Sequence, residues 1–198
     1  EAHSADASPP PRVIDGLDEV LVKMASNPRL HPLVEKAAEA LAKAKPDEKG
    51  LLKSRAKRIL TIHVSPDSLD RALASLNQIL LAVEALGHTV NLNTDKIPTT
   101  RISLLGEELG VSLEEKVSTT PHVETEADRR RKDRWNIPRY DYTPTGKLLF
   151  RIEGNLPHGT RLTWSDGKVQ RVESLTSKII YGLYDAAEAQ TQKRVDDE

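Results

Sequence analysis

The chain has 198 residues, of which 37% are hydrophobic and 30% charged, and its formal net charge at pH 7 is −1. This length suits one core domain with appendages or two small domains, and the apolar fraction is sufficient for a core. A net charge near zero excludes a global attraction to nucleic acid or anionic membranes, so any such binding requires a local patch. The chain lacks cysteine, which excludes disulfides and thiolate zinc sites and fits a cytoplasmic location.

The first residues have the composition of a linker. Residues 1–12 read EAHSADASPPPR, which is typical of a disordered, Pro-rich spacer. No signal peptide is recognisable, and no apolar run reaches the roughly 20 residues of a membrane-spanning helix, so we predict no membrane association. Because the chain starts with linker-like sequence, we expect it to be a domain of a longer protein.

Two short helices and a basic cluster are predicted next. Apolar residues recur at helical spacing in 15–25 and in 31–44. Residues 60–64 alternate apolar and polar side chains, which indicates a strand. Between these segments, basic residues cluster at Lys53, Arg55, Lys57 and Arg58.

A long helix is predicted from Ser65 to about Leu86. Ser65, Pro66 and Asp67 favour a helix start, because serine caps, proline fits the first helical position and aspartate suits the positive end of the dipole. Gly87 favours a left-handed stop. The buried stripe of this helix is predicted to be Leu69, Leu73, Leu76, Leu80 and Val83.

After Gly87 the hydrophobic period changes to two, which indicates strands. Strands are predicted at 88–93, 101–105, 110–118, 148–153 and 161–164, before an amphipathic helix from about residue 171. The fold class is therefore α+β, with a mostly antiparallel sheet of about five strands covered on one face by the two long helices. The predicted organisation is a linker (1–12), a helical N-terminal region (13–58), the core domain (59–190) and a charged tail (191–198).

The connection at 119–146 is unusually long, and loops of this length tend to be functional or disordered. Clustered guanidinium groups contact phosphates and aromatic rings stack on bases, so its composition suits nucleic acid. The alternative is a solvated loop whose acidic residues offset the charge and whose aromatic residues hold it against the core. The candidate nucleic-acid-binding residues are Arg129, Arg130, Arg131, Lys132, Arg134, Trp135 and Arg139, with Tyr140 and Tyr142 nearby.

A second hypothesis concerns Asp95, Glu114 and Lys116. An acidic residue about 20 positions before Glu-x-Lys on a strand is typical of metal-dependent nucleases, in which two carboxylates hold Mg²⁺ and the lysine steadies the attacking water. An exposed strand face with alternating charges explains the pattern equally well. Glu115 falls on the apolar side of its strand, a conflict that marks either a site or a buried pair with an arginine. The histidines show no metal-ligand spacing, so we predict no bound metal or cofactor.

Six blocks of sequence carry a resemblance to a known family. They are HPLVEKA, AKPDEKGLL, VSPDSLDRALASLNQILLAVEALGHTV, VSLEEK, RYDYTPTGKL and WSDGKVQRVESL. In this order they resemble a family of poorly characterised bacterial proteins, over roughly residues 31–190. Members of that family typically carry an N-terminal helix-turn-helix segment joined by a Pro-rich stretch to a body like this chain. The resemblance implies an association with DNA and no established chemistry.

The leading functional hypothesis is non-enzymatic. We expect the C-terminal body of a DNA-associated bacterial protein that serves oligomerisation, partner binding or auxiliary nucleic-acid contact. DNA would bind through the Arg-rich loop, and a second copy or another protein is the alternative partner. The alternative functions are the metal-dependent nuclease and a scaffold subunit of a larger complex.

Overall fold

The computed structural model of the chain describes residues 13–54, 56, 58–93, 99–131, 133, 135, 137–154 and 156–197. Within these residues the helices are α1 (Leu17–Ser26), α2 (Pro32–Ala42), α3 (Leu69–Ala85), α4 (Glu126–Arg130) and α5 (Thr176–Asp197). None of the helices in the described ranges combines the length and the apolar character that crossing a bilayer requires.

Most of the strands form one sheet. The strands are β1 (Lys45–Pro46), β2 (Leu52–Lys53), β3 (Ile62–His63), β4 (Thr89–Asn93), β5 (Thr99–Leu104), β6 (Glu107–Pro121), β7 (Tyr140–Glu153) and β8 (Thr163–Ser165). Strands β4 to β8 follow one another across the sheet, and each neighbouring pair is antiparallel. Strand β3 pairs with β6 in parallel, whereas β1 and β2 form a separate hairpin. The predicted α+β class, with a mostly antiparallel sheet and a C-terminal helix, is confirmed.

The sheet has one apolar face, which α3 and α5 cover. Because side chains alternate across a strand, every second residue of β5 to β8 points into this layer. The resulting face consists of Ile102, Leu104, Leu109, Val111, Leu113, Leu148, Phe150, Ile152 and Trp164, all buried. Burial of each such side chain contributes about 1.5–3 kcal/mol. The two long helices pack on this face, as predicted, and they also pack on each other.

Helix α5 lies close to the sheet at a glycine, Gly182. A Cβ atom built on Gly182 would lie 2.0 Å from Cζ2 of Trp164 and 2.2 Å from its Cη2. The indole therefore occupies the space that any larger residue at this position would need. Trp164 also packs against Phe150, with 6.2 Å between ring centroids, so these residues form the packing centre between β7, β8 and α5.

The start of α3 differs from the prediction in its cap. Residues Pro66–Ser68 form a short 3-10 helix before α3, and the side chain of Ser65 makes no capping hydrogen bond to the helix that follows. The backbone N–H of Ser65 donates instead to Oε2 of Glu115, at 2.8 Å. A carboxylate from the sheet therefore binds the positive end of the helix.

The expected tail at 191–198 is helical as far as Asp197. Glu107 is 6% exposed and accepts hydrogen bonds from Gln190 Nε2 and Thr191 Oγ1, each at 3.0 Å. Its carboxylate also pairs with Arg194 at 3.1 Å. These contacts fasten the last turns of α5 to the first residue of β6, which explains why the helix continues past the apolar stripe.

Candidate nucleic-acid interface

Strands β6 and β7 extend beyond the sheet as a two-stranded ribbon. Five residue pairs, from Val117 with Pro144 to Pro121 with Tyr140, continue the antiparallel register. At about 3.3 Å per residue this ribbon is about 17 Å long. Side chains on both of its faces are mostly exposed. Ten of the 28 residues of the predicted loop at 119–146 are therefore strand, at its two ends. We call residues 117–144 the arm and residues 122–139 its tip.

The base of the arm is fixed by hydrogen bonds to the core. The register shifts between Glu115 and Val117, and Thr145 Oγ1 donates to the carbonyl of Lys116 at 2.7 Å. The N–H of Gly146 donates to Oε1 of Glu115 at 2.6 Å. Nη1 of Arg71 on α3 donates to the carbonyl of Gly146 at 2.9 Å. The direction in which the arm leaves the sheet is therefore determined by core residues.

Glu115 is a structural residue. The carboxylate is 5% exposed and accepts from the N–H groups of Ser65 and Gly146. Burial raises its pKa, but hydrogen bonds from Ser65, Gly146 and Ser68 outweigh burial and lower the pKa below the ordinary value. The expected pairing of a buried Glu115 with an arginine is replaced by pairing with backbone N–H groups and serine hydroxyls.

The β1–β2 hairpin supports the arm from the side. Gly50 in its turn has a φ of +76°, and a Cβ at this position would lie 2.9 Å from Cγ of Pro144. Nζ of Lys49 lies over the ring of Tyr142, 5.6 Å from its centroid, a distance at which cation–π attraction operates. The hairpin therefore contacts the ribbon from its base as far as the third of its five residue pairs, and the tip lies beyond these contacts.

The tip is organised around His122. Its Nδ1 lies 2.7 Å from Oδ1 of Asp141, and its Nε2 lies 3.1 Å from Oδ2 of Asp128. Both partners are carboxylate oxygens, so only the imidazolium donates to both. These hydrogen bonds, first to Asp141 and then to Asp128, raise the pKa of His122. The histidine thus joins β6, β7 and α4.

Helix α4 begins with a capping box. Asp128 N–H donates to Oγ1 of Thr125 at 3.2 Å, and Thr125 N–H donates to Oδ2 of Asp128 at 2.9 Å. The Thr125 hydroxyl also donates to this carboxylate. The hydrogen bonds from Thr125, with a further contribution from His122, lower the pKa of Asp128 to about 2. Asp128 is therefore ionised at neutral pH and positions α4 on the ribbon.

Basic and aromatic side chains cover the outside of the tip. Arg129, Arg131 and Arg139 are exposed, and no ion pair of theirs occurs among the described residues, whereas Arg130 pairs with Glu126. Trp135 is 96% exposed, and the expected docking of this ring on the core does not occur. Tyr140 and Tyr142 are 47% and 37% exposed. The predicted residues Lys132 and Arg134 lie outside the described residues.

The nuclease hypothesis stays a prediction, because Asp95 lies outside the described residues. Glu114 and Lys116 share the polar face of the sheet. Glu114 pairs with Arg151 at 3.3 Å, and Nζ of Lys116 lies 3.4 Å from Oγ of Ser165. In the part of the chain that the structure describes, no group of three acidic or histidine side chains is arranged to hold a metal ion.

Sequence reasoning found the basic tip but missed the ribbon that carries it. Residues 117–121 and 140–144 lack the apolar alternation of a half-buried strand, because neither face of the ribbon is buried. The available signal was the Thr and Tyr content of VSTTP and YDYTP, which favours strands. The role of His122 was missed because its partners, Asp128 and Asp141, lie on two different elements.

Comparisons with protein-family models, with curated proteins and with solved structures found no match to this chain. The resemblance to bacterial proteins that carry a helix-turn-helix segment therefore stays a prediction.

Proposed function

We propose that this chain is a non-enzymatic domain that binds duplex DNA through the arm. The observation that carries the proposal is a projecting two-stranded ribbon whose tip is basic and aromatic. Between residues 129 and 139 the sequence has six basic residues and one acidic residue, in a chain of net charge −1. Such a local positive charge supplies the electrostatic attraction that the whole chain lacks.

The dimensions of the arm suit a DNA groove. The major groove of B-DNA is about 12 Å wide and about 8.5 Å deep, and it admits a two-stranded ribbon. Paired strands lie about 4.8 Å apart, and the arm projects about 17 Å before its tip. The ribbon is therefore longer than the groove is deep, so its base stays outside the groove when its outer end lies at the floor.

Three of the acidic residues of the arm are engaged by basic partners within the arm. Asp128 and Asp141 are bound to His122, and Glu126 is bound to Arg130. These carboxylates serve the internal structure of the tip. Arg129, Arg131 and Arg139 have no such partner among the described residues, so their guanidinium groups are available for bidentate phosphate contacts. The exposed ring of Trp135 is available for apolar contact with base edges in the groove, such as the methyl group of thymine.

The test replaces Arg129, Arg131 and Arg139 together with alanine. We expect the affinity for a duplex of about 20 bp, two helical turns, to decrease about 10- to 100-fold. The slope of log K against log salt should decrease by about 2.7, because each lost phosphate contact removes about 0.9. Fluorescence anisotropy of a labelled duplex measures both quantities over a salt series.

The matched control replaces three exposed lysines on other surfaces, Lys23, Lys36 and Lys178, with alanine. This variant loses the same charge from the whole chain but keeps the arm intact. We expect its affinity and salt slope to stay close to those of the wild-type protein. If the arm variant keeps the wild-type slope, or if both variants weaken equally, the arm is not the DNA-binding element.

A further inference from the structure

Positive charge is concentrated in two segments of the chain. Residues 129–139 have six basic residues and one acidic residue, and residues 43–58 have seven basic residues and two acidic residues. Each segment has a net charge of +5, so the rest of the chain has a net charge of −11. The first segment is the tip of the arm. The second includes the β1–β2 hairpin, for which the proposed function gives no role so far.

The hairpin places like charges against each other. Lys45 and Lys53 are directly opposite in the antiparallel pairing of β1 with β2, and both are exposed. Directly opposed like charges destabilise a strand pair. Neither lysine forms an ion pair with a described acidic residue. Lys43 lines the same open cleft as these two lysines, so positive charge accumulates here at a cost in stability.

The basic hairpin adjoins the arm. Gly50 in its turn contacts Pro144, and Lys49 lies over Tyr142, both of which belong to the arm near its base. An anion bound to the hairpin would therefore lie beside a ligand held by the arm. We define the hairpin patch as Lys43, Lys45, Lys49 and Lys53, all exposed.

We infer that the hairpin patch binds the sugar-phosphate backbone of the same duplex whose groove the arm enters. This inference rests on the proposed function and assigns a second contact to it. Duplex DNA carries one negative charge per about 1.7 Å of axis, so phosphates outside the groove face the base of an inserted arm. Lysine is a flexible point charge that binds phosphate without reading sequence. The patch fixes the position and orientation of the domain on the duplex, and the tip approaches the bases.

The test replaces Lys45 and Lys53 with glutamine in the full chain. We expect the salt slope for the duplex of about 20 bp to decrease by about 1.8, for two lost phosphate contacts. When the salt concentration is raised from 50 to 200 mM, the affinity of both proteins falls. The factor by which it falls should be about tenfold smaller for the variant than for the wild-type protein. Its thermal midpoint should stay equal or rise, because the repulsion between the two lysines is removed.

Two further variants make the result specific. Lys45→Arg with Lys53→Arg keeps the charge and should keep the wild-type slope. Lys23→Gln with Lys178→Gln removes the same charge elsewhere and should also leave the slope unchanged. Quenching of the exposed Trp135 by the duplex should persist in the Lys45→Gln, Lys53→Gln variant, because the tip still engages.

The outcomes separate this inference from the proposed function. Suppose that the Lys45→Gln, Lys53→Gln variant (the patch variant) keeps the wild-type salt slope, whereas replacing Arg129, Arg131 and Arg139 with alanine (the arm variant) decreases it. The inference is then wrong, and the arm still binds DNA. If the salt slope decreases in the patch variant but stays at the wild-type value in the arm variant, the hairpin alone binds DNA and the proposed role of the arm is wrong. A wild-type protein that binds no duplex overturns both.

Discussion

His122 determines how the tip of the arm is held. Its imidazole lies between Asp128 of α4 and Asp141 of β7, and the hydrogen bonds to these carboxylates raise its pKa. A histidine whose folded-state pKa is raised stabilises the folded form fully below its ordinary pKa of about 6.5. That stabilisation is lost as the pH rises through the raised pKa. The tip should therefore be most ordered in mildly acidic solution.

We predict that the pKa of His122 lies above the ordinary value for histidine, about 6.5. Asp141→Asn should bring its pKa back toward the ordinary value, because Asp141 makes the largest contribution to the shift. Glu126→Gln is the matched control, since Glu126 pairs with Arg130 and not with the histidine. An NMR titration of the imidazole resonances measures each pKa. An unshifted pKa in the wild-type protein would mean that the carboxylates do not bind the ring in solution.

At the scale of elements, the contact between α5 and β8 reverses the effect that replacing glycine with alanine usually has on helix stability. Alanine in place of glycine within a helix normally stabilises it by about 1 kcal/mol. At Gly182 the new Cβ would lie 2.0 Å from the indole of Trp164, which is 2% exposed and packed against Phe150. Because the ring is buried and packed, we expect steric overlap to decide the sign.

We predict that Gly182→Ala lowers the free energy of unfolding by about 1–3 kcal/mol, the usual cost of overpacking. Urea denaturation measures this change, with an unaltered m-value showing that the two-state transition is preserved. Trp164→Phe costs stability by itself, but in its presence Gly182→Ala should cost less, because the smaller ring leaves room for the methyl group. A Gly182→Ala protein more stable than the wild type would show that the helix and the sheet are not in close contact.

The elements with one buried face could be predicted from the sequence, and the ribbon could not. Helix α3 and the inner parts of β5 to β7 display their burial as periodic apolar residues, although Leu69 and Leu73 of the predicted stripe are only half-buried. Ser65 and Pro66 mark where helical structure starts, but the first turn is a 3-10 helix and Ser65 does not cap it. The outer parts of β6 and β7 bury neither face, so hydrophobic periodicity carries no information about them. Glu115 was recognised as a conflict, but its partner lies 50 positions away at Ser65, a distance that no local pattern encodes.

The candidate site was predicted in part. The basic tip is evident from composition, whereas the support from the hairpin depends on a contact between Gly50 and Pro144 that only the fold creates. The opposition of Lys45 to Lys53 likewise follows from the register of a hairpin with strands of two residues each. Strands this short carry no recognisable period.

At the scale of the whole molecule, the core and the arm are separable. None of the buried hydrophobic residues of the core lies between 118 and 143, and the β-pairing of Val117 with Pro144 brings the two strands together at the base. The arm therefore depends on the core for its direction, but the core does not depend on the arm for its packing.

We predict that residues 118–143 can be replaced by Asn-Gly, a two-residue hairpin turn. The free energy of unfolding should change by no more than about 1 kcal/mol, because none of the described side chains that are removed belongs to the buried hydrophobic core, while duplex binding should weaken strongly. Urea denaturation and fluorescence anisotropy measure the two effects. A loss of several kcal/mol would show that the arm supports the core, and undiminished binding would show that DNA contacts the remaining surface.

The continuous register from the sheet into the arm has a consequence for variation in reach. Inserting two residues into each strand of the ribbon lengthens it by about 6.6 Å and leaves every side chain on its face. Inserting one residue into each strand reverses the faces and turns the tip over relative to the hairpin patch. The length of the arm can therefore change in steps of two residues in each strand while its side chains keep their faces. Its length can change in these steps without any change in the core, so the distance between the tip and the hairpin patch is adjustable independently of stability.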